Sequence, residues 1–356
     1  MIKRTLLSVG LFGLLALLMY CNDEKGPTSA GPKDSDRDTV EIEDPDQDTT
    51  ENKDPDQDTV ENEDPLDPQD PKDSTQIYGG FVLSLVAPDG ITATYAQLQG
   101  NLKDGPAIYP IVWDEAEAIG NCRLMKPRIP FCENDCGTAL CVEDDSCQYE
   151  PSPVYAGKIE VSGLKTTGSS GTFIMDTIRS NYQLPSGVSL SFPPFEEGDM
   201  VNLTIKGNST IPSFTMSAMG IKPLVVYNDT ISIIDGEPIV LKWEPPSNPG
   251  NSTISIKIDI SHHGGTKGII ECECPDNGSV EIPAVLLGKL KALGMAGFPK
   301  IEITRRATGT SSTTNAKIML ESTVTKLVHI PGLISCWGDS EDECPDGQVC
   351  EDFRCK

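Results

Sequence analysis

Ile239-Val240-Leu241-Lys242-Trp243 places Ile239, Leu241 and Trp243 on one face of an extended chain and Val240 and Lys242 on the other, because successive strand side chains alternate. A Trp on the inward face of so short a strand plugs the core between two packed sheets, and the Pro-rich turn after it ends the run. Downstream, Ile254 to Ile260, Ile269 to Cys272, Val280 to Ile282, Ile301 to Thr304 and Ile318 to Val324 read the same way. Upstream, so do Phe81 to Val86, Lys158 to Val161, Val188 to Phe192, Val201 to Ile205 and Pro223 to Tyr227. Gly, Pro, Asn and Asp separate these runs about every 8 to 12 residues, the spacing of antiparallel β-sandwiches rather than barrels. Pro283 opens a short exception in which Leu286, Leu287, Leu290 and Leu293 fall at helical spacing, predicting one brief helix across the end of a sandwich.

Composition narrows the function classes. The chain has 356 residues, 54 acidic against 28 basic side chains and a net charge of -26. Nucleic acid needs a basic surface, which this balance does not supply, so no nucleic-acid partner is expected. With 37% apolar residues, 32 Gly and 28 Pro, neither a helix bundle nor a multispan membrane protein is expected.

The chain begins with a basic start (Lys3, Arg4) and an apolar run from Leu6 to Tyr20, followed by an abrupt polar shift at Asn22, the pattern of an export signal over residues 1–20. That run is shorter than the roughly 20 residues that span a bilayer. Leu17-Leu18-Met19-Tyr20-Cys21 resembles a bacterial lipoprotein box, with Leu18 and Cys21 matching and Tyr20 standing where a small residue is usual. The resemblance implies a lipid on Cys21 and attachment to the bacterial outer membrane or cell surface. From Asn22 to Thr75 there are 20 acidic and 5 basic side chains and a ten-residue repeat starting at Asp34, Asp44, Asp54 and Asp64. Such a segment has too little apolar surface to offset its ordering entropy and is expected to be a disordered stalk over residues 21–75. Asp44, Asp46 and Asp48 open like a calcium loop, but Thr49 and Pro55 stand where Gly and a bidentate Glu are needed.

The remainder divides into two β-sandwich units, immunoglobulin-like or jelly-roll-like, over residues 76–227 and 228–335, with a disulfide-rich module over 336–356. The Trp243 strand and its Pro-rich turns resemble immunoglobulin-like domains of bacterial surface proteins. An insertion over residues 114–153 is poor in alternation and holds Cys122, Cys132, Cys136, Cys141 and Cys147. In an exported chain these read as disulfide staples rather than zinc ligands. Cys272 and Cys274 share one strand face and would form a strained ring if joined, so one of them is expected to bond the insertion and the other to be buried or to link two molecules. Cys336, Cys344, Cys350 and Cys355 resemble the four-Cys repeats of Dickkopf-like cysteine-rich regions and the ends of some bacterial surface lipoproteins. Of the three possible connectivities, first-to-third with second-to-fourth is the one expected.

Catalytic motifs are missing: the sequence has no G-x-S-x-G, H-E-x-x-H, P-loop or G-x-G-x-x-G, and its three His (His262, His263, His329) carry no motif around them. Five N-x-S/T sites, at Asn202, Asn208, Asn228, Asn251 and Asn277, read as polar turns. The expectation is a non-enzymatic, lipid-anchored surface protein with no cofactor, displaying the insertion to a protein or glycan. The alternatives are an exported hydrolase acting on glycan or peptide, which would need two facing carboxylates or a His oriented by an Asp, and a purely structural envelope lipoprotein.

Overall fold

A computed structural model describes residues 76–86, 94–167, 170–262, 265–295 and 298–331, together with the backbone of 350–351 and 354–355. The export signal, Cys21, the stalk, His263, Cys336 and Cys344 lie outside the described residues. The strands run β1 (Tyr78–Val86), β2 (Tyr95–Lys103), β3 (Val112–Ile119), β4 (Cys122–Arg128), β5 (Leu140–Cys141) and β6 (Cys147–Gln148). Then come β7 (Ile159–Lys165), β8 (Ser170–Ile178), β9 (Asn181–Gln183), β10 (Met200–Ile205) and β11 (Phe214–Met219). After residue 227 follow β12 (Ile231–Ser232), β13 (Ile239–Lys242), β14 (Thr253–Asp259), β15 (Ile269–Pro275) and β16 (Ser279–Ile282). Helix α1 (Ala284–Ala292), the long hairpin β17 (Lys300–Thr310) and β18 (Lys317–His329), and β19 (Cys350–Glu351) with β20 (Arg354–Cys355) complete the order.

The molecule is mainly β, with alternating burial along β1, β7, β10, β14, β17 and β18. Fourteen strands join one mixed sheet in the order β11-β10-β7-β8-β9-β2-β1-β18-β17-β14-β15-β4-β3, with β12 also on β18. Most neighbours are antiparallel, but β18 runs parallel to both β1 and β12. Hydrogen bonds therefore cross residue 227: β18 completes the first part of the chain, while the β3–β4 hairpin is carried by β15 of the second. The first sixteen residues of the irregular insertion expected over 114–153 are largely this hairpin. Its alternation is hidden because Asp114, Glu115 and Ala116 of the edge strand face solvent and a bulge interrupts the register between Glu115 and Glu117. Val188 to Phe192 and Pro223 to Tyr227, read as strands, contribute only isolated bridges at Leu190 and Val226. Pro193 and Pro223 withdraw ladder donors there.

Two clusters of buried side chains fill the fold. One gathers Phe81, Leu83, Leu98, Val161, Tyr182 and Leu203. The sheet curls around it until β11 meets β17, so closely that a Cβ added to Gly309 would lie 1.7 Å from the Ser217 carbonyl oxygen. The other gathers Leu241, Trp243, Ile256, Ile282, Leu286 and Ile303 under the small β13–β16 sheet and α1. Trp243 is buried there, and Leu286, Leu287 and Leu290 of α1 point inward.

The β17–β18 hairpin serves both clusters. Ala307, Ile318 and Leu320 enter the first, and Ile301, Ile303 and Val328 the second. Between them lies a polar layer. Arg305 and its cross-strand partner Ser322 are both buried. Arg305 donates from Nε to Asp276 Oδ2 at 2.5 Å and from Nη2 to Asp276 Oδ1 at 3.0 Å, and its remaining N–H groups reach the carbonyls of Lys222, Pro223 and Glu244. Trp243 Nε1 and Ser252 Oγ also donate to Asp276, and the Leu224 amide donates to Ser322 Oγ. The chain passing from one core to the other at 222–224 is thus held by a buried ion pair with its hydrogen-bonding capacity filled.

Candidate binding surface

Only Val142 is a buried apolar side chain between residues 131 and 150, so the insertion beyond β4 has no core of its own. Crosslinks and polar clamps take its place. Cys132 bonds Cys141 and Cys136 bonds Cys147, closing two overlapping loops with sequence separations of 9 and 11. Each closure removes roughly 2–3 kcal/mol of chain entropy from the unfolded state.

Arg128, at the end of β4, ties this stapled loop to the sheet. Its guanidinium lies 2.7 Å from Asp145 Oδ1 and 3.2 Å from Asp114 Oδ2, and Nη2 donates to the Glu143 carbonyl. Asp145 Oδ1 also accepts the Phe131 amide at 2.9 Å. That backbone bond, with the Arg128 bond second, holds the Asp145 carboxyl below its ordinary value. On the other side, the Asp104 amide donates to the Ser152 carbonyl and the Ser152 amide to Asp104 Oδ1.

This frame presents apolar side chains to solvent. Ile129 is 80% exposed, Phe131 76% and Tyr109 65%, with Ile111 and Tyr149 also exposed. Val112 pairs with Arg128 at the end of the β3–β4 ladder, so the chain through Ile111 and the chain through Ile129 leave the sheet side by side. Two concavities flank the connection from β2 to β3. One of about 570 Å³ runs between Ile108, Tyr109 and Trp113 on one wall and Val142, Glu143 and Asp144 on the other. The second, of about 450 Å³, includes Tyr78, Asp104, Gln148 and Tyr149. Pockets of this size accept a few residues or sugar rings. The segment Pro106-Ala107-Ile108-Tyr109-Pro110-Ile111 shows neither strand alternation nor helical spacing. Its signal is six apolar residues in a row with two Pro, which cannot be a ladder strand and so end up on the surface.

The cysteines sort into distinct environments. Cys272 on β15 bonds Cys122 on β4, directly across the ladder, bridging chain positions 150 residues apart. Cys274 is buried as a free thiol, and burial pushes it up to about 11, with Asp276 and Glu273 adding to the rise. Such a thiol is inert near neutral pH. The sulfurs of Cys132, Cys136 and Cys141 lie within 4.8 Å of one another. Bound in disulfides, they have no thiolate to offer a metal. Cys350 and Cys355 stand opposite each other in the β19–β20 ladder.

His262 lies in the turn after β14, and His329 ends β18. His262 Nδ1 lies 3.8 Å from Asp259 Oδ2, beyond hydrogen-bond range. Asp259 is buried and accepts the Ser261 amide, the Ser261 hydroxyl and the Thr266 hydroxyl. It organises the turn after β14, and Ser261 directs its hydroxyl to the carboxylate rather than to the imidazole. Three Asn of the N-x-S/T sites are also built into the fold: Asn202 accepts Ser217, Asn208 reaches the Tyr155 carbonyl, and Asn228 bridges Val240 and Lys242. No family model matches the chain, and no curated protein matches it significantly.

Proposed function

We propose that this is a non-enzymatic protein held at a bacterial cell surface by a lipid on Cys21, displaying a recognition surface on the disulfide-stapled insertion. The observation that carries the reading is the exposure of Tyr109, Ile111 and Tyr149 on the walls of two concavities, together with exposed Ile129 and Phe131 on the chain leaving β4. Large apolar side chains exposed on and beside a crosslinked loop cost solubility, and their common use is to meet a partner. The scaffold supports this by rigidity: two staples and the Arg128 clamp limit the ordering entropy lost on binding. The acidic stalk adds reach. A disordered chain of its length has an end-to-end distance near 40 Å at about 5 to 6 Å per square root of residue number.

The test has two parts. Intact mass of the membrane fraction, with and without Cys21→Ala, reads the anchor: the acyl mass and membrane retention are lost together in the variant, and an unchanged soluble form refutes anchoring. Binding of the oxidised chain to cell surfaces and to glycan arrays reads display. The expected result is binding that Phe131→Ser with Tyr149→Ser weakens at least tenfold, since two exposed aromatic anchors contribute about 1 kcal/mol or more each. Binding to neither refutes display and favours a structural envelope role.

A further inference from the structure

The cleft between residues 106–113 and 142–148 has three properties that together define an occupant. First, Ala107, Ile108 and Tyr109 form no hydrogen bond among the described residues, although they run between two strands as an irregular, largely exposed segment. Backbone donors and acceptors left to solvent beside a groove are what an added strand pairs with. Second, the walls are apolar and aromatic, through Ile108, Tyr109, Trp113 and Val142. Third, residues 129–150 hold six carboxylates and no Lys or Arg. Asp145 is engaged by Arg128 and Glu150 by Lys103, whereas Glu143 and Asp144 on the cleft have no basic partner among the described residues.

Resting on the display reading above, we infer that the cleft takes an extended, Lys- or Arg-bearing peptide segment of a partner protein. The added strand pairs with Ala107 to Tyr109, its apolar side chains enter the cleft, and its cations meet Glu143 and Asp144. Trp113 already has the Lys257 ammonium 5.9 Å from its ring centroid, so an ammonium is stable beside this aromatic. The charge pattern disfavours an acidic peptide or an anionic lipid surface. The edge strand β3 is not the docking strand, because its bulge and its Asp114 and Glu115 side chains block regular pairing.

The probe is a fluorescein-labelled peptide alternating Lys with Val, titrated by anisotropy against the oxidised full-length chain at low salt. It is expected to bind, to lose about fivefold to tenfold in affinity against Glu143→Gln with Asp144→Asn, and to lose binding when N-methylated at alternate residues. Both carboxylates are exposed, so circular dichroism of the double variant stays that of the parent. No binding of the Lys peptide, or binding that ignores both the substitution and the methylation, overturns the inference. Glycan binding that Phe131→Ser with Tyr149→Ser abolishes, in a chain that does not bind the Lys peptide, overturns it while leaving the display reading intact. Loss of the display reading shows instead as an absence of peptide, glycan and cell-surface binding alike.

Discussion

Replacing Arg305 with Met tests whether the polar layer between the two cores holds the fold together. The side chain volume is largely kept, but five polar contacts go: two to Asp276 and three to the carbonyls of Lys222, Pro223 and Glu244. Asp276 then remains fully buried, with only Trp243 Nε1 and Ser252 Oγ as donors. Breaking a buried ion pair from one side costs about 3–5 kcal/mol, because the other charge is left uncompensated. That is a large part of the 5–15 kcal/mol typical of a folded domain. Asp276→Asn removes the negative charge while keeping an acceptor for Trp243, so Arg305→Met combined with Asp276→Asn is expected to cost about 2 kcal/mol less than the two single changes added. Urea denaturation of the oxidised chain, followed by Trp fluorescence, measures these values. Hydrogen exchange at the Leu224 amide, which donates to buried Ser322, reports locally and is expected to accelerate in Arg305→Met. A loss under about 1 kcal/mol, or strictly additive single changes, refutes the view of this layer as the junction's clamp.

Four further outcomes follow from the same geometry. Cys122→Ala with Cys272→Ala releases a link between positions 150 residues apart, with an expected loss of about 3–5 kcal/mol in denaturation. Cys274, with its thiol at about 11, resists iodoacetamide at pH 8 in the folded chain and reacts after unfolding; rapid alkylation of the native form contradicts its burial. Gly309→Ala drives a Cβ toward the Ser217 carbonyl and is expected to cost about 1–3 kcal/mol, read as a lower melting temperature. Because the folded Asp145 carboxyl lies below its unfolded value, its contribution is full above the usual value of about 3.9 and is lost as pH falls through the folded one. The Phe131 amide, followed by NMR down an acid titration, is expected to shift in that lower window and not between pH 5 and 7.

How much of this was legible beforehand varies with the range of the interaction. Ile239 to Trp243, Ile254 to Ile260 and Ile318 to Val324 show their alternation because one face of each strand is buried, and burial is what patterns a sequence. Strands β3 and β4 were hidden in the Cys-rich stretch, since an edge strand with a solvent face and a bulge keeps no such record. The shared spacing of Cys272 and Cys274 told that both face one way; which of them meets Cys122 depended on the β15–β4 register. The exposed segment over residues 106–111 leaves no such mark, because an apolar run ordinarily signals a core.

The chain by itself determined its class: short alternating strands and one Pro-led helix, both consequences of local periodicity. Tertiary structure alone decided that β1 and β18 pair in parallel across more than two hundred residues and that β17–β18 feeds two cores. It alone placed Arg305 on Asp276 at the crossing between them. Those choices rest on which strand edges and which buried charges find each other in space, and neither leaves a periodic trace in sequence.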